Sequence, residues 1–217
     1  MSTGHEHPRP SETWACVARG ALVSLRYPVE ADAQEMVRIR SESRAFLEPW
    51  EATPDVVTDP FADDWFARFL KSSRCEASHR LLICHLHDGR ILGQVGLGGI
   101  MRGAFQSCFI GYWIAAKEAR RGYGTEGVAL AVSYCFGALA LHRVEANIIP
   151  VNEPSKRLVR KLGFRFEGLA RRYLRIAGHW QDHEHWAITI EEWNAHRPAG
   201  STKIPTPNQI DRTDTLS

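Results

Sequence analysis

The sequence predicts an α+β (mixed α/β) domain, and three observations carry that prediction. Strand-like runs joined by tight turns occupy the first half of the ordered chain. A single strand, glycine loop, helix, strand unit follows them, and a long hairpin closes the pattern. Antiparallel strands followed by one parallel crossover give a mixed sheet with helices packed on it.

Element by element, Ala21 to Arg26 alternates as a strand, and Glu30 to Phe46 carries Met36, Ile39, Ser43 and Phe46 at helical spacing, with Pro49 as its stop. A helix from Pro60 to Ser72 places Phe61, Trp65 and Phe69 on one side, beside Phe66 and Leu70, as a packed lid. Three strands, His79 to His87, Ile91 to Met101 and Phe105 to Ala115, turn at Asp88-Gly89 and Arg102-Gly103. A glycine loop then opens a helix reaching about Leu139. It is followed by a strand from His142 to Ile149, a helix from Glu153 to Leu162, and a hairpin from Phe164 to Ile190 turning at Ala177-Gly178.

The chain has 217 residues, 44% hydrophobic and 24% charged, which suits one domain, assigned to 15–196. Polar, Pro-containing tails, 1–14 and 197–217, are expected to be disordered. A net charge of +2 provides no basic surplus for nucleic acid. No apolar run reaches membrane-spanning length, and the first residues lack a signal-peptide core, so the expected location is cytoplasmic. The five cysteines include no C-x-x-C pair and read as reduced thiols, and the expected state is monomer or homodimer.

The chemistry centres on Arg120, Arg121, Gly122, Tyr123, Gly124 and Thr125. Two glycines let the backbone turn and present N–H groups at a helix N-terminus, a ready seat for phosphate oxygens, and the arginines add charge. The same loop reads Gly122-x-Gly124-x-x-Gly127, with Glu145 at the spacing of a dinucleotide ribose ligand. A nicotinamide-dependent oxidoreductase is therefore an alternative, although the loop comes late in the chain and one such unit follows it. His179, His183 and His185 cluster near Asp182, but a polar strand explains them without a metal. Lys156, Arg157, Arg160 and Lys161 form a basic helix face open to a phosphate or an acidic protein.

Taken together, Ile110-Gly-Tyr-Trp-Ile114, Arg121-Gly-Tyr-Gly-Thr-Glu126, His142-Arg-Val-Glu-Ala146, Asn152-x-x-Ser155, Leu162-Gly-Phe164, Glu167-Gly168 and Asp182-His183 resemble the GNAT acetyltransferases. Within that superfamily the chain is similar to the RimJ/RimL-type ribosomal-protein alanine N-acetyltransferases, over about Ala21 to Trp193, and Phe46-Leu-Glu-Pro-Trp50 adds to the likeness. The resemblance implies a mostly antiparallel sheet whose two central parallel strands splay, with acetyl-CoA as co-substrate and no metal. The implied acceptor is a protein N-terminus, with a small amine as the alternative.

The cofactor would lie against the backbone of Trp113 and Ile114, the loop 120–125 and the side chain of Asn152. Family loops carry Gln or Arg where this chain has Ala119, leaving that role to Arg120 or Arg121. The tyrosine that many members use as proton donor is replaced by Val159, so Ser155, one turn earlier, is the candidate donor. Glu145 shares a strand face with Asn147 and is the candidate base, acting through water. An α-amine, with a pKa near 7.7 to 8.0, is neutral at pH 7 roughly 300 times more often than a lysine amine at about 10.4, so a site without a strong base suits an N-terminus.

Overall fold

A computed structural model describes residues 16–51 and 65–196. Both tails, Phe61 and the start of the Pro60 to Ser72 helix lie outside the described residues. The strands are β1 (Cys16–Arg19), β2 (Val23–Arg26), β3 (Arg74–Cys75), β4 (Ser78–His85), β5 (Ile91–Met101), β6 (Ser107–Ile114), β7 (Arg143–Ile148), β8 (Arg165–Ile176) and β9 (His179–Thr189). The helices are α1 (Ala33–Glu42), α2 (Arg44–Leu47), α3 (Trp65–Lys71), α4 (Tyr123–Gly137), α5 (Glu153–Lys161) and α6 (Ile190–His196).

The strands form one sheet in the order β1-β2-β4-β5-β6-β7-β9-β8, with β3 on β4. Every pairing is antiparallel except β6 with β7. That parallel pair holds register at Ser107↔Arg143, Cys108↔Val144 and Phe109↔Glu145, and then ends. Beyond it β6 runs on to Ile114 and β7 to Ile148, so the two strands part and the mostly antiparallel, splayed sheet is as expected.

Alternation along the strands gives the sheet two differently clothed faces. On one, Leu81, Ile83, Val95, Ile110, Val144, Ala146 and Ile148 pack with Val128, Ala131, Val132 and Cys135 of α4 and Val159 of α5. On the other, Leu82 and Cys84 meet Met36 and Ile39 of α1 and Phe66 and Phe69 of α3. Phe66 and Phe69 of the expected lid are therefore core, with Trp65 packed against them.

Several details differ from the sequence expectation. The first helix breaks at Ser43, where φ is −100° and ψ 3°, because the buried Ser43 hydroxyl accepts the Ala116 N–H (3.1 Å) at the end of β6. Short turns, α2 and then a 3₁₀ turn at Glu48–Trp50, replace its last turn. β1, β3 and α6 are additional elements. β1 and β2 form a hairpin whose loop is tied to α4: Glu126 accepts the N–H groups of Ala21, Leu22 and Val23 at 2.7–2.8 Å. A Cβ at Gly20 would lie 2.6 Å from the Glu126 Cδ, which explains the glycine.

Candidate active site

The glycine loop follows β6 and enters α4 through a strained backbone. Arg120 has φ +65° and Gly122, the residue preceding the helix, has φ +87°, a conformation that suits glycine and turns the chain sharply. No side chain caps α4, so the N–H groups of its first turn stay available to an anion. Gly124 is needed for a different reason, since a Cβ there would lie 3.2 Å from the Ile114 Cγ1 and 3.6 Å from Leu158. Gly127 abuts Ile83, where a Cβ would come within 2.8 Å, and lets α4 sit close on the sheet.

The two arginines differ in circumstance. Arg121 pairs with Glu118 (3.1 Å), which also receives Arg90 (3.4 Å). Arg120 is exposed and makes no ion pair among the described residues. Tyr123 turns inward along the loop and packs edge-on against the His85 ring (5.8 Å).

Beside the loop, one edge of β6 pairs with β5 from Ser107 to Ile114 while its other edge loses β7 after Phe109. The main chain from Ile110 to Ile114 thus borders a gap in the sheet. A diphosphate against the bare helix end and an amide-bearing arm against this open strand edge fit these features. Asn152, on the far wall, caps α5 by accepting the Ser155 N–H (3.2 Å) on its Oδ1, so its amide hydrogens are what it can offer a ligand.

Ser155 stands on the α4 and α5 face. Its Oγ is 2.7 Å from the Tyr112 hydroxyl, and Tyr112 comes from the strand that borders the gap. Burial pushes the Tyr112 phenol up to about 12, so it stays protonated at neutral pH. Tyr112 was not foreseen as a functional side chain, since nothing in a sequence places residues 43 apart in contact.

Glu145 lies on the opposite face, at the closed end of the gap where the parallel register stops. Its Oε1 receives Arg143 (2.9 Å) and Ser107 (3.4 Å), whereas Oε2 takes neither. Arg143 also grips Glu167. Asn147 shares this face one pleat further into the gap and stands opposite His185 of β9. Its Nδ2 donates to the Tyr173 hydroxyl (3.4 Å).

Tyr173 reaches that position through a bulge. Between Ala170↔His183 and Leu174↔Gln181 β8 carries two more residues than β9, and Arg172 adopts φ +49° with its N–H on Asp182 Oδ1 (2.8 Å). Strict alternation would turn Tyr173 away from His183 and His185; the bulge turns it back, with ring centroids 5.6 and 4.7 Å from theirs. Burial and then the charge of Glu145 raise the Tyr173 phenol.

His183 and His185 do share a face, but among the described residues no group of His, Cys, Asp and Glu side chains is placed to hold a metal ion. The basic face of α5 is partly spoken for. Lys156 pairs with Glu153 (2.6 Å) and Glu184 (3.2 Å), and Arg160 lies over the Trp186 ring (4.9 Å). No helix among the described residues is long and apolar enough to cross a membrane.

Comparison with known proteins agrees with this fold. The family described as Acetyltransferase (GNAT) domain matches residues 23–165. The Bacillus subtilis protein named as a probable N-acetyltransferase, YjcK, is 34% identical over 172 residues, 78% of this chain and 95% of that one. The Escherichia coli [ribosomal protein uS5]-alanine N-acetyltransferase is 32% identical over 176 residues, 80% of this chain and 90% of that one. Mycobacterium smegmatis RimJ, solved in complex with CoA-disulfide, superposes with a TM-score of 0.74 at 35% identity, covering 80% of this chain and 87% of that one. The chain therefore belongs to the GNAT family of acetyl-CoA-dependent N-acetyltransferases and not to the nicotinamide-dependent oxidoreductases.

Proposed function

We propose that the enzyme transfers acetyl to the free α-amino group at the N-terminus of a protein, and that this protein is ribosomal. The observation that carries the reading is the state of the carboxylate at the closed end of the gap: Glu145 already shares an oxygen with Arg143 and Ser107. A base so engaged suits an amine that arrives neutral, as α-amines do roughly 300 times more often than lysines at pH 7. The E. coli relative, named for alanine acetylation on uS5, supports the same acceptor class.

In this mechanism the loop 120–125 and the α4 N-terminus hold the diphosphate of acetyl-CoA, with Arg120, which makes no ion pair among the described residues, as a cation for it. The backbone at Trp113 and Ile114 and the Asn152 amide line the arm. Bound there, the co-substrate supplies an activated thioester. Attack by the amine nitrogen on the acetyl carbon breaks the carbon–sulfur bond, and the two proton transfers fall on opposite faces of the sheet. Ser155 donates to the departing sulfur while Tyr112 donates to Ser155 Oγ, so the serine proton is left for the thiolate. Glu145 Oε2 takes the amine proton through water.

Mass spectrometry of the enzyme with acetyl-CoA and peptides bearing free Ala, Ser, Thr or Met N-termini, each with an internal lysine, tests the proposal. Acetyl on the first residue supports it. Acetyl on lysine, or on spermidine with the peptides untouched, overturns it in favour of a different amine.

A further inference from the structure

Buried side-chain atoms without a hydrogen-bond partner include Asn147 Oδ1, His185 Nε2 and Trp113 Nε1. All three belong to the sheet face that carries Glu145, Trp113 on β6 and the other two across the gap on β7 and β9. Burying a polar atom unpaired is costly, so a group left that way in a folded protein marks a place where something else completes it.

The chemistry of the atoms says what that is. Trp113 Nε1 is a donor and cannot accept an amine hydrogen. Asn147 Oδ1 is an acceptor, and with Nδ2 given to the Tyr173 hydroxyl the oxygen is the end of the amide left for a further partner. His185 Nε2 accepts when the ring is neutral with its proton on Nδ1. The two residues are directly opposite in the β7–β9 register, about 5 Å apart at Cβ.

We propose that Asn147 Oδ1 and His185 Nε2 form the seat of the acceptor amine. A neutral primary amine has two N–H donors and one lone pair. Two acceptors on the sheet take the two hydrogens, and the lone pair is left to point at the acetyl carbon in the gap. An ammonium, with three hydrogens and no lone pair, gains no productive pose there. Tyr173, delivered by the bulge, is a positioning residue: it holds the Asn147 amide and packs edge-on against the His185 ring (4.7 Å). Glu145, one pleat back on the same face, is placed to collect the proton after attack.

The seat rests on the acceptor being an amine, and its test is separable from that of the reaction. Protein labelled with ¹⁵N in its imidazoles and saturated with CoA is titrated with an alanine-terminated peptide amide and with its N-acetylated twin, while acetyl transfer is measured separately. The His185 Nε2 resonance, assigned by its loss in H185L, moves with the free-amine peptide and not with the acetylated one. H185L and N147L weaken that peptide by about tenfold or more and leave CoA affinity unchanged, and H185Q, whose amide oxygen can accept, recovers part of the loss. A still His185 resonance, whether or not the peptide binds, overturns the seat, as does unchanged peptide affinity in H185L. Transfer to peptides with a still resonance sinks the seat alone. A moving resonance without transfer keeps the seat and sinks the proposed reaction.

Discussion

The Ser155 hydroxyl lies 2.7 Å from the Tyr112 phenol, and this contact joins helix α5 to the strand that borders the gap. If the pair protonates the leaving sulfur as a unit, Y112F lowers kcat about tenfold and S155A lowers it at least as much, with little change in acetyl-CoA affinity. The double variant is then no slower than S155A, because the phenol acts through the serine. Steady-state kinetics with calorimetry of acetyl-CoA binding checks this, and additive losses would separate the two roles.

Arg120 and Arg121 are adjacent in sequence but unequal in place. R120A raises the acetyl-CoA Kd several-fold and flattens its dependence on salt. R121A does less, because Glu118 holds that guanidinium. Equal effects in a titration at two ionic strengths would contradict the assignment.

Replacing Gly122 by Ala forces a Cβ into φ +87°, at a cost of about 1–2 kcal/mol or a shift of the loop. Either result weakens acetyl-CoA binding. G124A acts differently: the new methyl presses on Ile114 and Leu158, and thermal denaturation registers that change.

Glu126 anchors the β1–β2 loop with three charge-assisted hydrogen bonds. E126A lowers unfolding stability by about 2–4 kcal/mol in urea titration. G20A is destabilised for the reciprocal reason, since its methyl meets the same carboxylate.

The Arg143 and Arg165 guanidinia beside Glu167 hold its carboxyl below the usual range. A carboxyl depressed in the folded state stabilises above its unfolded value, about 4.3, and loses that contribution as pH falls through the folded one. E167Q is therefore less stable than the native protein at pH 7, by under about 1 kcal/mol for so open a pair. The difference vanishes on acidification below about pH 4, as denaturant curves across pH 3 to 7 would show.

Local signals carried much of this fold and failed where a distant contact decides. Ile91 to Met101 is a strand with the bounds its alternation gives, and the glycines at 122 and 124 marked the helix entry. The break at Ser43 depends on Ala116, so it leaves no trace in its own neighbourhood. Tyr173 shows the same limit at the site. A period of two puts it on the wrong side, and the Asp182 carboxylate, on the partner strand and ten residues beyond Arg172, holds the bulge that reverses it. Glu145 and Ser155 could be named from motifs, but that they stand on opposite faces followed from the packing of α4 and α5.

Three register pairs are all that join β6 to β7, so the sheet is two half-sheets that share a short seam. Above the seam, the backbone of β6 has an unmet edge, which in the proposed mechanism a bound arm of acetyl-CoA would complete. The co-substrate would then work as a missing strand as well as a reagent. At a hundred times its Kd it adds about 2.7 kcal/mol to the resistance of the whole chain to unfolding. Supply of acetyl-CoA and resistance of the enzyme to unfolding are thereby expected to be coupled quantities, which denaturant titration at several acetyl-CoA concentrations would check.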